Sequence, residues 1–218
     1  MTIQFIGHAF FKISSKDTVI ATDPFPKELG LEPQRFKADI LTISHQHWDH
    51  NNKKAILGQP FIIETPGEYE VKGVAIRGIR SFHDNSQGKE RGLNTIFVFE
   101  IEGIKIAHFG DFGQKDLTSE QLEALEGVDI ILIPVGGTYT INGKEASQII
   151  LKLEPKIAIP MHYRLPSSKI KEIEPIDTFL KEMGQENLKP EEKLTIKEKD
   201  LPQETKIIPL IPLAKPLK

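Results

Sequence analysis

The chain contains no cysteine. This excludes disulfides and thiolate metal ligands, so a transition-metal site here has to be built from histidine, aspartate or glutamate. No apolar run approaches membrane-spanning length, and the N-terminus lacks a basic stretch followed by an apolar one. The expectation is a cytoplasmic protein with no membrane partner. Neither sign of charge dominates. A formal net charge of −3 gives no global attraction to nucleic acid, although a local basic patch stays open. Repeats, low-complexity tracts and linkers are also missing. The 218 residues therefore read as one domain, 1–218, long enough to bury a core without covalent staples.

What the chain has instead is histidine, concentrated in Ser44-His45-Gln46-His47-Trp48-Asp49-His50. The preceding run, 38–44, is rich in aliphatic and β-branched residues and predicts a buried strand ending where the histidines begin. In an extended chain His45 and His47 point the same way and can share one metal ion. Asp49 and His50 diverge unless the chain turns into Asn51-Asn52 and a short helix. Imidazole and carboxylate are ligands that zinc accepts, as do manganese and iron. A polar loop of solvated histidines would explain one of these residues better than it explains all four. One segment cannot complete two coordination shells, so further ligands must come from elsewhere. Trp48, the only tryptophan, is expected to pack beneath the motif.

The first twenty-two residues predict a β meander over 3–6, 9–13 and 18–22, interrupted at Gly7-His8 and stopped by Asp23-Pro24. Strands are expected over 59–64 and 69–82, then a hairpin of 93–101 and 104–109 around Glu102-Gly103. Strand and helix alternate afterwards. Thr118 with Gln121, and Asn142 with Glu145, have capping-box spacing. Ala146, Ile149, Ile150 and Leu153 mark an amphipathic helix, and Ile176, Phe179, Leu180 and Met183 another. Between them lie apolar strands at 128–135 and 156–161. The chain closes with strands 193–196 and 206–211, where Pro209 and Pro212 predict an edge position or an early end.

Four of these strand ends carry metal-type ligands: the 45–50 motif, His83-Asp84, Gly110-Asp111 and His162. Taken singly, a strand-end aspartate is usually a turn former and a strand-end histidine a packed residue. Their recurrence after successive apolar runs predicts ligands delivered to one rim of a sheet.

On these motifs the sequence resembles the metallo-β-lactamase superfamily, in particular the small hydrolases similar to L-ascorbate-6-phosphate lactonase. The resemblance runs from Gly7-His8 and Thr22-Asp23-Pro24 to Pro160-Met161-His162-Tyr163. It implies an α/β (α+β) fold: a four-layer αββα sandwich of two facing mixed sheets with helices outside. It also implies that His45, His47 and His83 hold one divalent ion, that Asp49, His50 and His162 hold a second, and that Asp111 bridges them. Zinc is the leading metal. A bridging hydroxide would be the nucleophile, with Asp49, Asp111 and His108 as the catalytic candidates. Asp23 would orient the histidine loop. His8 and His108 are candidate proton donors or phosphate binders, against the simpler readings of a turn residue and a packed strand residue. Arg91, Asn94 and Tyr139 are candidate substrate contacts.

Two divalent ions, less two carboxylates and one hydroxide, leave a formal charge of about +1, which suits a small-molecule anionic ester such as a phosphodiester or phosphorylated lactone. A nuclease of the ribonuclease Z or J type is the enzymatic alternative, with little chain left over for RNA-binding arms. The intact ligand motif argues against a flavodiiron protein, a sulfur dioxygenase and a non-catalytic metal-binding scaffold. Homo-oligomers occur among such relatives, and self-association stays open.

Overall fold

Apolar alternation at the N-terminus folds into the expected antiparallel meander. Its strands are β1 (Thr2–Gly7), β2 (Phe10–Ser14) and β3 (Val19–Thr22), in a computed structural model that describes residues 1–217. Neighbouring phenylalanines on β2 take opposite faces, as strand geometry requires. Phe11 meets the ring of His108 from the other sheet. Phe10 packs on Phe25 and Phe36 from the connection that follows β3. That connection contains Pro24, Pro26, Gly30 and Pro33, which do not fit a regular helix. It holds a 3-10 turn at Lys27–Leu29 and the short strands β4 (Leu31–Glu32) and β5 (Phe36–Lys37).

The histidine motif is delivered by β6 (Ile40–Thr42), parallel to β3. After Asn51-Asn52 the expected short helix is a single 3-10 turn, Lys53–Ala55. Next come β7 (Ile56–Leu57), which pairs with β5, and β8 (Phe61–Ile63), which pairs with β6. Residues 69–82 are not one strand. They form a hairpin of β9 (Gly67–Val71) and β10 (Val74–Phe82), whose two-residue turn has Lys72 at φ 51° and Gly73 at φ 73°. Left-handed conformation at both positions matches the twist of paired strands. The second expected hairpin forms from β11 (Leu93–Ile101) and β12 (Ile104–His108) around Glu102-Gly103.

Both capping boxes are present, at α1 (Ser119–Ala124) and α2 (Gly143–Leu153). Between them β13 (Ile130–Pro134) is buried along its whole length, as is β14 (Ile157–Met161), which follows α2. A strand buried on both faces needs a cover on its outer side. α2 supplies it by turning Ala146, Ile149 and Ile150 inward against β13, and α3 (Ile176–Glu182) packs on α2. The C-terminal region adds β15 (Leu194–Thr195), β16 (Lys206–Ile207) and β17 (Lys215–Pro216). β16 is an edge strand and ends two residues before Pro209.

Two mixed sheets result, in the orders β15-β1-β2-β3-β6-β8 and β16-β14-β13-β12-β11-β10-β9. The residues between them form one continuous hydrophobic core. This is the pair of facing mixed sheets that the resemblance implies. Its helical cover over the second sheet is α1 and α2, while the cover over Phe10 in the first sheet is the proline-punctuated 24–37 segment. Among the described residues no helix is long and apolar enough to cross a membrane.

Asn142 accepts from the Glu145 backbone N–H, and Glu145 reaches back to the Asn142 N–H. Asn142→Ala is expected to lower stability by about 1 kcal/mol. Urea denaturation of the two proteins checks this.

Candidate metal centre

Strand direction explains why distant residues meet. β1, β3 and β6 run the same way in the first sheet, because β2 is antiparallel to both of its neighbours and β6 is parallel to β3. Their C-terminal ends carry His8, Asp23 and the 44–50 loop to one edge. In the second sheet β10, β12 and β14 likewise share a direction. Their ends carry His83, Asp111 and His162. The two edges are tied by the Thr95 N–H donating to the Ser44 carbonyl (2.9 Å) and by the His162 N–H donating to the His8 carbonyl (2.8 Å).

Asp111 sits at the junction. Its Oδ2 lies 3.2 Å from Nε2 of His50, His83 and His162, and 3.8 Å from Nε2 of His45. His45, His47 and His83 form one group of converging ligand atoms, and His8, Asp49, His50 and His162 form a second. The 44–50 chain is not extended. It bends at Ser44-His45 and turns over 48–50, so Asp49 and His50 reach the second group while His45 and His47 stay with the first.

Burial sets the protonation of the cluster. It pushes His45 down to about 3, with His50 adding to the effect and Asp111 and Asp23 opposing it. His47 is lowered for the same first reason. His50 behaves differently. Burial works against its charge, but Asp111, Asp49 and Asp23 outweigh that and hold it well above the usual histidine value. Asp111 is held well below the usual carboxylate range despite its burial, because His162 and His50 face it. Asp49 is lowered too, with His50 and His8 overcoming burial.

The cluster therefore offers ionised carboxylates among buried imidazoles. His45 Nε2, His50 Nε2 and Asp111 Oδ1 are buried with no hydrogen-bond partner. Buried polar atoms are rarely left so. Lone pairs converging from imidazole and carboxylate are what a divalent cation satisfies, so this donor set fits one. Supporting contacts fix the inward-facing groups from behind. Asp23, fully buried, accepts from the Ser44 backbone N–H (2.7 Å) and from Ser44 Oγ, and its Oδ2 is 3.1 Å from His50 Nδ1. Ser44 Oγ is 2.9 Å from His45 Nδ1.

His8 lies deeper in the centre than a turn residue would. Its Nε2 is 3.1 Å from Asp49 Oδ2 and its ring centroid 4.0 Å from that of His162. Burial, reinforced by His162, pushes its pKa down to about 4. The signal in the sequence is the broken strand at Gly7-His8. His8 (φ 58°), Asp23 (φ 42°) and His162 (φ 52°) all adopt left-handed backbone, a conformation that costs non-glycine residues on the order of 1 kcal/mol each.

Three of the expected placements need correction. His108 does not reach the cleft. It is fully buried between the sheets, and its Nε2 donates to the Ala9 carbonyl at 2.8 Å, so it has no proton to offer a leaving group. Asn94 does not face substrate either. It is buried, donates to Ser81 Oγ and the Phe109 carbonyl, and accepts from the Asp111 backbone N–H at 3.0 Å. It holds the segment that carries Asp111. Trp48 is not packed beneath the motif but is 53% exposed. With Arg91 and Tyr139 it lines a cleft of about 390 Å³ that has Asp111 and His162 on its wall.

Comparison with known proteins agrees with this fold. Residues 2–162 match the Beta-lactamase superfamily domain. The chain is 31% identical to a UPF0173 metal-dependent hydrolase of Thermococcus onnurineus, with 74% of this chain and 84% of that one covered. It is 32% identical to a UPF0173 protein of Pyrococcus furiosus, over 75% and 83% of the two chains. The crystal structure of a proposed Zn-dependent hydrolase of the metallo-beta-lactamase superfamily from Thermotoga maritima is similar, with a TM-score of 0.77. It shares 37% identity, with 96% of this chain and 97% of that one covered.

Gly110, at φ 55°, lets the chain pass against Ser44 and Asn94 just before Asp111, and a Cβ there would collide with both side chains. Gly110→Ala is expected to lower stability by about 2–4 kcal/mol through overpacking and left-handed strain. Urea denaturation monitored by far-UV circular dichroism reads this out.

Proposed function

Because the chain belongs to the beta-lactamase superfamily, among its metal-dependent hydrolases, we propose that it hydrolyses a small anionic ester at a centre of two divalent ions. The observation that carries this reading is the position of Asp111 Oδ2, 3.2 Å from imidazole nitrogens at three separate chain positions. His45, His47 and His83 would hold one ion, and Asp49, His50 and His162 the other, with Asp111 shared. Zinc suits this imidazole-rich set, and the Thermotoga relative is named for zinc. When bound, the ions acidify water toward neutrality and supply positive charge for a developing oxyanion.

The remaining steps fall to the protein's own groups. His8 donates from Nε2 to Asp49 Oδ2 and so fixes which way that carboxylate points. Asp23 accepts from His50 Nδ1, which would leave His50 Nε2 to offer its lone pair once a cation displaces the proton there. Ser44 acts similarly on His45. Asn94 anchors the Asp111 backbone, so the shared carboxylate needs no reorganisation when substrate enters. Two divalent ions against Asp49 and Asp111 would leave the cleft positive, which would favour a phosphodiester or phosphorylated lactone over a neutral ester.

Elemental analysis of freshly purified protein is expected to give about two metal ions per chain, with zinc predominant; a metal-free preparation would sink the dinuclear reading. Asp111→Ala is expected to reduce hydrolysis of bis(4-nitrophenyl) phosphate on the order of a thousandfold while the circular dichroism spectrum stays native. Turnover of neutral esters in preference to phosphodiesters would count against the substrate class.

A further inference from the structure

The loop after His83 is organised around one carboxylate. Asp84 is buried, and its Oδ1 accepts from the backbone N–H groups of Ser86 (2.7 Å) and Gly88 (2.9 Å). Its Oδ2 accepts from the N–H groups of Glu90 (3.0 Å) and Arg91 (2.8 Å). The ends of the loop are joined by the His83 N–H donating to the Gly92 carbonyl, and the Gly92 N–H to the Gly88 carbonyl. A charged acceptor taking four backbone donors fixes this loop more firmly than neutral turns would.

What the loop presents is Arg91. Its guanidinium lies 5.4 Å above the Tyr139 ring, and both residues line the cleft that contains Asp111 and His162. Among the described residues Arg91 makes no ion pair and no side-chain hydrogen bond. The neighbouring Glu90 also lines the cleft, but its carboxylate is turned to the Ser86 hydroxyl at 2.6 Å and forms no ion pair with Arg91. A guanidinium stacked on an aromatic face keeps its in-plane donors free for an oxyanion.

We propose that Arg91, backed by Tyr139, is the receptor for a carboxylate or phosphate group that the substrate carries apart from the bond being broken, and that Asp84 is the positioning residue that aims it. The proposal rests on the hydrolase reading only for the identity of the bound molecule as substrate. It implies a substrate anionic at a second point, not only at the reacting centre. Asp84 would act on specificity through the loop backbone, without touching substrate.

The test uses metal-loaded protein and needs no turnover for its first arm. Trp48, the only tryptophan, shares the cleft, so its fluorescence reports occupancy. Succinate and glycerol phosphate are titrated against their neutral counterparts, succinamide and glycerol. For Arg91→Gln the dissociation constant of whichever anion binds wild type is expected to rise about tenfold, the size of one charge-assisted hydrogen bond. Asp84→Asn is expected to weaken the same anion and, unlike Arg91→Gln, to speed amide exchange at Ser86, Gly88, Glu90 and Arg91. Failure of both anions to bind wild type, or equal binding to Arg91→Gln, overturns the receptor. Unchanged amide exchange in Asp84→Asn overturns the positioning role. The second arm compares 4-nitrophenyl hemisuccinate with 4-nitrophenyl butyrate. The ratio of their kcat/KM values is expected to fall about tenfold in both variants, through KM rather than kcat; a fall through kcat alone would overturn it. Anion binding that weakens as expected in a protein cleaving no ester would keep the receptor and defeat the hydrolytic reading instead.

Discussion

Burying Asp111 among four imidazoles is the constraint from which the surrounding structure takes its shape. An ionised carboxylate loses several kcal/mol of solvation when buried, so the groups that face it, His162 and His50 above all, have to be held in place. Asn94 therefore clamps the Asp111 backbone, Gly110 lets the chain pass where a side chain would not fit, and Asp23 restrains the loop opposite. His8, Asp23 and His162 adopt left-handed backbone around the same point. Three of the left-handed non-glycine residues and most of the unpartnered buried side-chain atoms fall at this one edge of the sandwich. Strain concentrated in this way marks a site built for a ligand, not for stability.

The sheets make this possible by geometry that has nothing to do with metals. Each inward-facing group leaves the C-terminal end of a strand, and the strands concerned run the same way within their sheets. An odd number of reversals between them would send a ligand to the far edge. The hairpin at Lys72-Gly73 illustrates the point: β10 must turn back on β9 before it can deliver His83 beside Asp111.

Much of the site was legible because histidine and aspartate are conspicuous after apolar runs. His45, His47, Asp49, His50, His83, Asp111 and His162 stand out by residue type and position, and the structure brings them together. His8 was harder to read. One histidine beside a glycine fits an ordinary strand break, and its approach to Asp49 depends on a backbone conformation that sequence does not display. Asp84 stands out beside His83 at a strand end, but its part in the loop does not show in the sequence. Its partners are backbone N–H groups, which leave no side-chain pattern, although Asp84 followed by Ser86 and Gly88 has the composition of a tight loop. His108 reads as a site residue because it lies near a strand-end rim, and Asn94 because it lies beside a loop, but both side chains turn into the layer behind Asp111. The hairpin at 72–73 has no clear signal in the sequence, because Lys-Gly lacks the asparagine or aspartate that usually announces such a turn.

The positions contributing to the centre run from His8 to His162, most of the length of the chain. Ions held between them would join segments far apart in sequence, closing long loops as disulfides do in secreted proteins. In a polypeptide with no cysteine these would be its only cross-links of that reach, reversible and removable by a chelator. The metal would then take part in holding the two sheets in register, and its loss would be felt first at the edge where the strands end.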